Sequence, residues 1–119
     1  MKKQVVDNSI EELITLRTLI KDRIEDLKDT PGGAQGKHAF KHYLWHIEEA
    51  MFKLEKKEYS NAIETLRDLD SLFSERVTEL YNIKGAQAIR HAYMLYLWKL
   101  REAYTLLKLA SLKPKKNNE

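Results

Sequence analysis

Cysteine is absent from the chain, and with it go disulfides, zinc ribbons, thiolate nucleophiles and iron–sulfur clusters. That absence suits a reducing compartment, and a cytoplasmic location is the expectation. Glycine and proline are scarce, at four and two in 119 residues, which leaves little punctuation for a strand-rich fold. Long apolar runs are missing as well. After Met1-Lys2-Lys3 the apolar stretch is only Val5-Val6 before Asp7, so no secretory leader is expected. No later segment approaches the ~20 apolar residues of a membrane span.

What remains is a chain with 33% charged and 43% hydrophobic residues, the bias of one helical domain over residues 1–119. The net charge is +3, and its location matters more than its sum. Lys2 and Lys3 give +2 at one end; Lys113, Lys115, Lys116 and Glu119 give +2 at the other, leaving −1 for residues 4–112. A near-neutral body with basic ends lacks the clustered footprint of a dedicated nucleic-acid domain. Residues 113–119 are expected to be a flexible basic tail.

The chain repeats itself. HAFKHYLWHIEEAMFKL, from His38, aligns without gaps to HAYMLYLWKLREAYTLL, from His91, with 8 of 17 positions identical. At the same 53-residue offset Ile10, Glu11, Leu13, Leu16, Leu19, Arg23 and Leu27 match Ile63, Glu64, Leu66, Leu69, Leu72, Arg76 and Leu80. Gly-Ala-Gln recurs before the second segment of each half, at Gly33–Gln35 and Gly85–Gln87. The pattern predicts an all-α antiparallel four-helix bundle made of two tandemly duplicated α-hairpins with pseudo-two-fold symmetry. The first hairpin is expected over about 8–57 and the second over about 61–112.

Apolar residues set the helices. Ile10, Leu13, Leu16, Ile20, Ile24 and Leu27 recur at three- and four-residue steps behind a cap at Asn8 or Ser9, and Asp29–Gly33 stops that helix. The second helix, about 37–57, is expected to bury Phe40, Leu44, Ile47, Met51 and Leu54. The third, capped by Ser60, buries Ile63, Leu66, Leu69, Phe73, Val77 and Leu80. The fourth runs to about Leu112, before Pro114.

One face recurs opposite the core in both halves: His38, Trp45 and Glu49, then His91, Trp98 and Glu102. Two readings fit it. The tryptophans either form an interaction surface or bury against the first and third helices. The differences between halves are more informative. The second helix has Lys41 and His42 where the fourth has Met94 and Leu95. A patch centred on Met94, Leu95 and Trp98, with Tyr104 or Leu106 nearby, needs cover from a second copy or a protein partner.

Specific chemistry finds little support. His38, His42 and His46 stand at i, i+4 spacing, with His42 and His46 the candidate metal ligands, but the second half keeps only His91 and a solvated histidine ridge is expected. No Glu-x-x-His occurs, as a di-iron bundle requires. The Arg-x4-6-His motif of HEPN domains is absent, since Arg90 is adjacent to His91. Residues Glu58–Leu66 resemble the opening of a tetratricopeptide repeat, but a 53-residue spacing is not that family's 34. None of the four glycines precedes Lys-Ser or Lys-Thr, and no elbow motif surrounds Ser9, Ser60, Ser71, Ser74 or Ser111.

The expected function is therefore non-enzymatic and cofactor-free: homodimerisation or protein-partner binding through the fourth helix. The alternative is a nucleic-acid accessory protein whose Lys2, Lys3, Lys113, Lys115 and Lys116, with Lys37, Lys41, Lys84 and Arg90 near the loops, touch phosphates.

Overall fold

The computed structural model of the chain describes residues 3–28 and 33–111, the side chains of residues 34 and 35 excepted. Four helices account for nearly all of it: α1 (Lys3–Leu27), α2 (Gly33–Glu55), α3 (Tyr59–Tyr81) and α4 (Gln87–Ser111), with no strand among the described residues. Lys2 and the tail from Leu112 onward, including Lys113, Lys115 and Lys116, lie outside the described residues.

Each helix packs on the next, and α4 closes the ring on α1. The diagonal pairs make no close backbone approach among the described residues. Cross-helix contacts fix the directions as antiparallel. The Ser9 hydroxyl donates to the Ala103 carbonyl oxygen at 2.9 Å while Lys99 reaches Glu12, pairing the start of α1 with the end of α4. Lys53 Nζ donates to Thr65 Oγ1 at 2.8 Å between α2 and α3, and Asp70 of α3 meets Arg101 and Tyr104 of α4. These contacts are those of a four-helix bundle.

The core is continuous. Leu13, Leu16 and Ile20 of α1, Ile47 and Leu54 of α2, Leu66, Leu69 and Phe73 of α3, and Leu100 and Leu107 of α4 are fully or almost fully buried. Fully buried Ser9, Ala50, Ala62 and Ala103 add small side chains, which let neighbouring backbones approach. Toward the end carrying the α1–α2 and α3–α4 connections the core turns aromatic. Phe40, Tyr43, Phe73, Tyr93 and Tyr96 meet there, with ring centroids 4.8–6.1 Å apart and mostly edge to face.

The helix starts depart from the sequence expectations, each for its own local reason. α1 begins at Lys3, before Asn8 and Ser9, and Ser9 is a buried bridge to α4. α2 begins at Gly33, which had been expected to stop α1. α3 begins at Tyr59 behind Glu58, whose side chain makes no capping bond, and Ser60 is exposed in the first turn. Ile10, Ile24, Leu44, Met51, Ile63 and Val77, expected in the core, pack at its margin, half-buried.

Two different turns join the helices. α2 ends with Lys57 N–H bonded to the Leu54 carbonyl and Glu58 N–H to that of Lys53, with Lys57 at φ +64°. That is the Schellman arrangement, with lysine at the left-handed position. Between α3 and α4 the left-handed position, φ +83°, falls on Gly85.

Candidate functional site

The outer face of α4 carries five of the exposed large apolar side chains; others are Ile14 on α1, Trp45 and Phe52 on α2, and Tyr81, Ile83 and Ile89 near the α3–α4 connection. Met94, Leu95, Trp98, Leu106 and Leu109 are between 37% and 63% exposed, and all point away from the α1 and α3 contacts. The two tryptophans are surface groups, Trp45 at 55% and Trp98 at 58% exposed, so neither buries against α1 or α3. The helical period allows burial only for the Tyr93, Tyr96, Leu97 and Leu100 side of α4 and the matching side of α2.

Around Trp98 the polar groups are tied down within the chain. The Lys99 ammonium stands 5.2 Å from the Trp98 ring centre, 3.4 Å from Glu12 and 3.7 Å from Glu102. Glu102 is half-buried, and its Oε1 has no hydrogen-bond partner. His91 and His38 are exposed; Glu49 is half-buried, 3.8 Å from Lys53. Tyr104 does not belong to the outer surface. Half-buried, its hydroxyl donates to Asp70 Oδ2 at 2.9 Å, so its polar end faces α3.

The histidines of α2 do not form a solvated ridge. His46 is buried, with Nδ1 at 3.1 Å from the His42 carbonyl oxygen, and His42 packs edge-on against it at 4.7 Å. His42 also stacks parallel to Trp45. The described residues contain no group of three or more His, Cys, Asp or Glu side chains placed to hold a metal ion.

The basic residues considered for phosphate contacts divide between the two ends of the bundle. Lys3 opens α1 at one end, whereas Lys37, Lys84 and Arg90 stand at the other, with Lys41 one turn further along α2. Arg90 is half-buried, its guanidinium 4.2 Å above the Tyr81 ring.

The end of the bundle with the α1–α2 and α3–α4 connections also holds a feature that the sequence reading passed over. A cleft of about 490 Å³ opens between all four helices, lined by Arg23 and Leu27 of α1, Gly36, Ala39, Phe40 and Tyr43 of α2, Arg76 of α3, and Ile89, Ala92, Tyr93 and Tyr96 of α4. The Tyr43 and Tyr93 hydroxyls are 3.3 Å apart. Burial, and next the hydrogen bond with Tyr43, pushes the Tyr93 phenol far above its ordinary value; burial raises Tyr96 as well. Gly36 keeps the wall thin, since a Cβ there would sit 3.2 Å from Leu27 Cδ1. A signal was available: Arg23/Arg76 and Tyr43/Tyr96 are identical pairs at the 53-residue offset, and both arginines interrupt an otherwise apolar face.

No family model, curated protein or solved structure matches this chain.

Proposed function

We propose that the protein is an interaction module, built from two copies of one helical hairpin, that self-associates as a homodimer through the outer face of α4. The observation that carries this reading is that Met94, Leu95, Trp98, Leu106 and Leu109 are all exposed on one face of α4, in two groups separated by Glu102 and Thr105. At the 53-residue offset α2 has Lys41, His42, Trp45, Lys53 and Lys56, so every member except the tryptophan is polar in the first half. Although Phe52 is exposed where α4 has Thr105, drift after a duplication has no reason to turn four exposed positions of one face apolar. A binding surface does.

A second copy is the occupant the stripe fits. Five large side chains, about half exposed, present on the order of 500 Å² of apolar surface, and two such faces with their rims reach the ~800 Å² per partner of a stable interface. Two α4 helices crossing antiparallel about a two-fold axis bring the Met94 end of one stripe to the Leu109 end of the other, an isologous contact that needs no second sequence. The charges beside the stripe do not oppose it: Lys99 is paired with Glu12 and Glu102, and Arg101 with Asp70. Full burial of such side chains stabilises by about 1.5–3 kcal/mol each, and the partial exposure here scales that down.

Sedimentation equilibrium of the wild type and of the double variant Met94→Lys/Leu95→His, which copies the first half, tests the reading. The wild type is expected near twice 14.0 kDa and the variant near 14.0 kDa with its helical circular dichroism retained, because both positions are exposed in the single chain. A wild type that stays monomeric at millimolar concentration, or a variant that stays dimeric, overturns it.

A further inference from the structure

We infer that the cleft between the four helices is a binding site for a small organic oxyanion with an aromatic or apolar body, whose acidic group is held by Arg23 and Arg76. Both arginines stand on the core side of their helices. Arg23 lies three residues after Ile20 and four before Leu27; Arg76 lies likewise between Phe73 and Leu80. Ile20, Phe73 and Leu80 are buried and Leu27 half-buried, so the two guanidiniums interrupt the apolar ridge of α1 and of α3. A cation on a core-facing ridge is unfavourable unless an anion or a polar opening meets it.

The lining itself supplies the opening, and the nearest carboxylates stand outside it: Glu79 on Arg76, and Asp26, whose charge reaches Tyr96. The cleft has two arginines and no carboxylate among its lining residues. Arg76 bonds Glu79 at 3.0 Å, one turn along α3 and outside the lining, while Arg23 makes no ion pair among the described residues. The Tyr96 hydroxyl has no hydrogen-bond partner among them either, which leaves a donor beside the two guanidiniums. The remaining wall is Phe40, Tyr43 and Tyr93, whose rings offer apolar and edge surface to a flat body. A volume of about 490 Å³ lies within the range of small-molecule sites. Guanidinium forks match carboxylate and phosphate oxygens two at a time, so an acidic head with an apolar body satisfies both halves of the cleft.

The test is calorimetric titration with benzoate and with phenyl phosphate, alongside benzyl alcohol as a neutral body of similar shape, and with ring NMR signals of Phe40, Tyr43, Tyr93 and Tyr96 as the local readout. At least one anion is expected to bind saturably and shift those rings. Arg23→Gln and Arg76→Gln are each expected to weaken binding by about tenfold, and Arg23→Lys by less. Arg23→Gln is the decisive variant, because Arg23 has no ion pair to lose among the described residues, and its circular dichroism establishes that it is folded. Absence of saturable binding by both anions, equal binding of benzyl alcohol, or undiminished binding in a folded Arg23→Gln protein overturns the assignment.

Discussion

Arg101 grips Asp70 with both arms of its fork, Nε to Oδ2 at 2.8 Å and a terminal nitrogen to Oδ1 at 3.1 Å, across the α3–α4 interface. Ser74 and Tyr104 hydroxyls complete the ring around the carboxylate. The positions 53 residues earlier are Arg17 and Glu48, the same pair with its charges exchanged, and they form no ion pair within 4 Å. The clamp therefore belongs to the second hairpin alone.

Asp70 is predicted to stabilise the fold in a pH-dependent way. Burial raises its pKa, but the hydrogen bonds from Arg101 and Tyr104, the Arg101 charge and the Ser74 hydroxyl together outweigh burial and hold it below the ordinary aspartate value of 3.8. With the folded value depressed, the contribution is complete above the unfolded value and is lost as the pH falls from there through the folded one. Asp70→Asn is expected to cost about 1–2 kcal/mol near neutral pH, moderated because Arg101 is half exposed, and little at strongly acid pH. Urea melts of both proteins across the acid range check this; a constant difference at every pH refutes it.

Tyrosines at the aromatic end set the opposite limit. The phenols of Tyr93 and Tyr96 are raised by burial, and that of Tyr104 by burial and then its bond to Asp70, from an ordinary 10.0. For a raised folded value the stability is present below the unfolded pKa and declines as pH rises through the folded one. Spectrophotometric titration is expected to show the phenols of Tyr93, Tyr96 and Tyr104 ionising above their ordinary value, as helicity is lost. Tyr93→Phe is expected to shift that alkaline transition upward. Ionisation of Tyr93, Tyr96 and Tyr104 at the ordinary value with the helices intact contradicts the assignment.

The helical count and the apolar period were legible because each repeats along the sequence, and exposed Met94 and Leu95 because they differ from Lys41 and His42 at the repeat offset. Leu13, Leu16 and Ile20 announce one face of α1, and no tertiary contact redirects them. Ser9 was misread because a serine ahead of an apolar run looks the same whether its oxygen receives a backbone N–H of its own helix or its proton goes to α4; only the neighbour decides. His46 was misread likewise, since the spacing that places it beside His42 also turns it inward. The cleft escaped for a geometric reason. Its lining comes from four helices, and no single window of sequence holds both arginines and the tyrosines. Tyr104 was misplaced against its own period: four residues after Leu100 and seven after Leu97, it falls on the core side of α4, where its hydroxyl meets Asp70.

The two left-handed residues yield a paired prediction of opposite sign. Lys57 adopts φ +64° to close α2, where a side chain crowds the following carbonyl, whereas Gly85 adopts φ +83° with no side chain to crowd. Lys57→Gly keeps the two backbone bonds from Lys57 and Glu58 N–H and relieves the strain, against a larger loss of backbone entropy on folding. Strain relief in an already formed αL cap outweighs that loss, so a gain of about 0.5–1 kcal/mol is expected. Gly85→Ala meets no neighbouring atom within 4 Å, so its effect isolates the backbone conformation, and a loss of about 1 kcal/mol is expected. Denaturant midpoints of the two variants measured side by side check both. A destabilised Lys57→Gly protein would mean that the Lys57 side chain, not the turn it occupies, holds the end of α2.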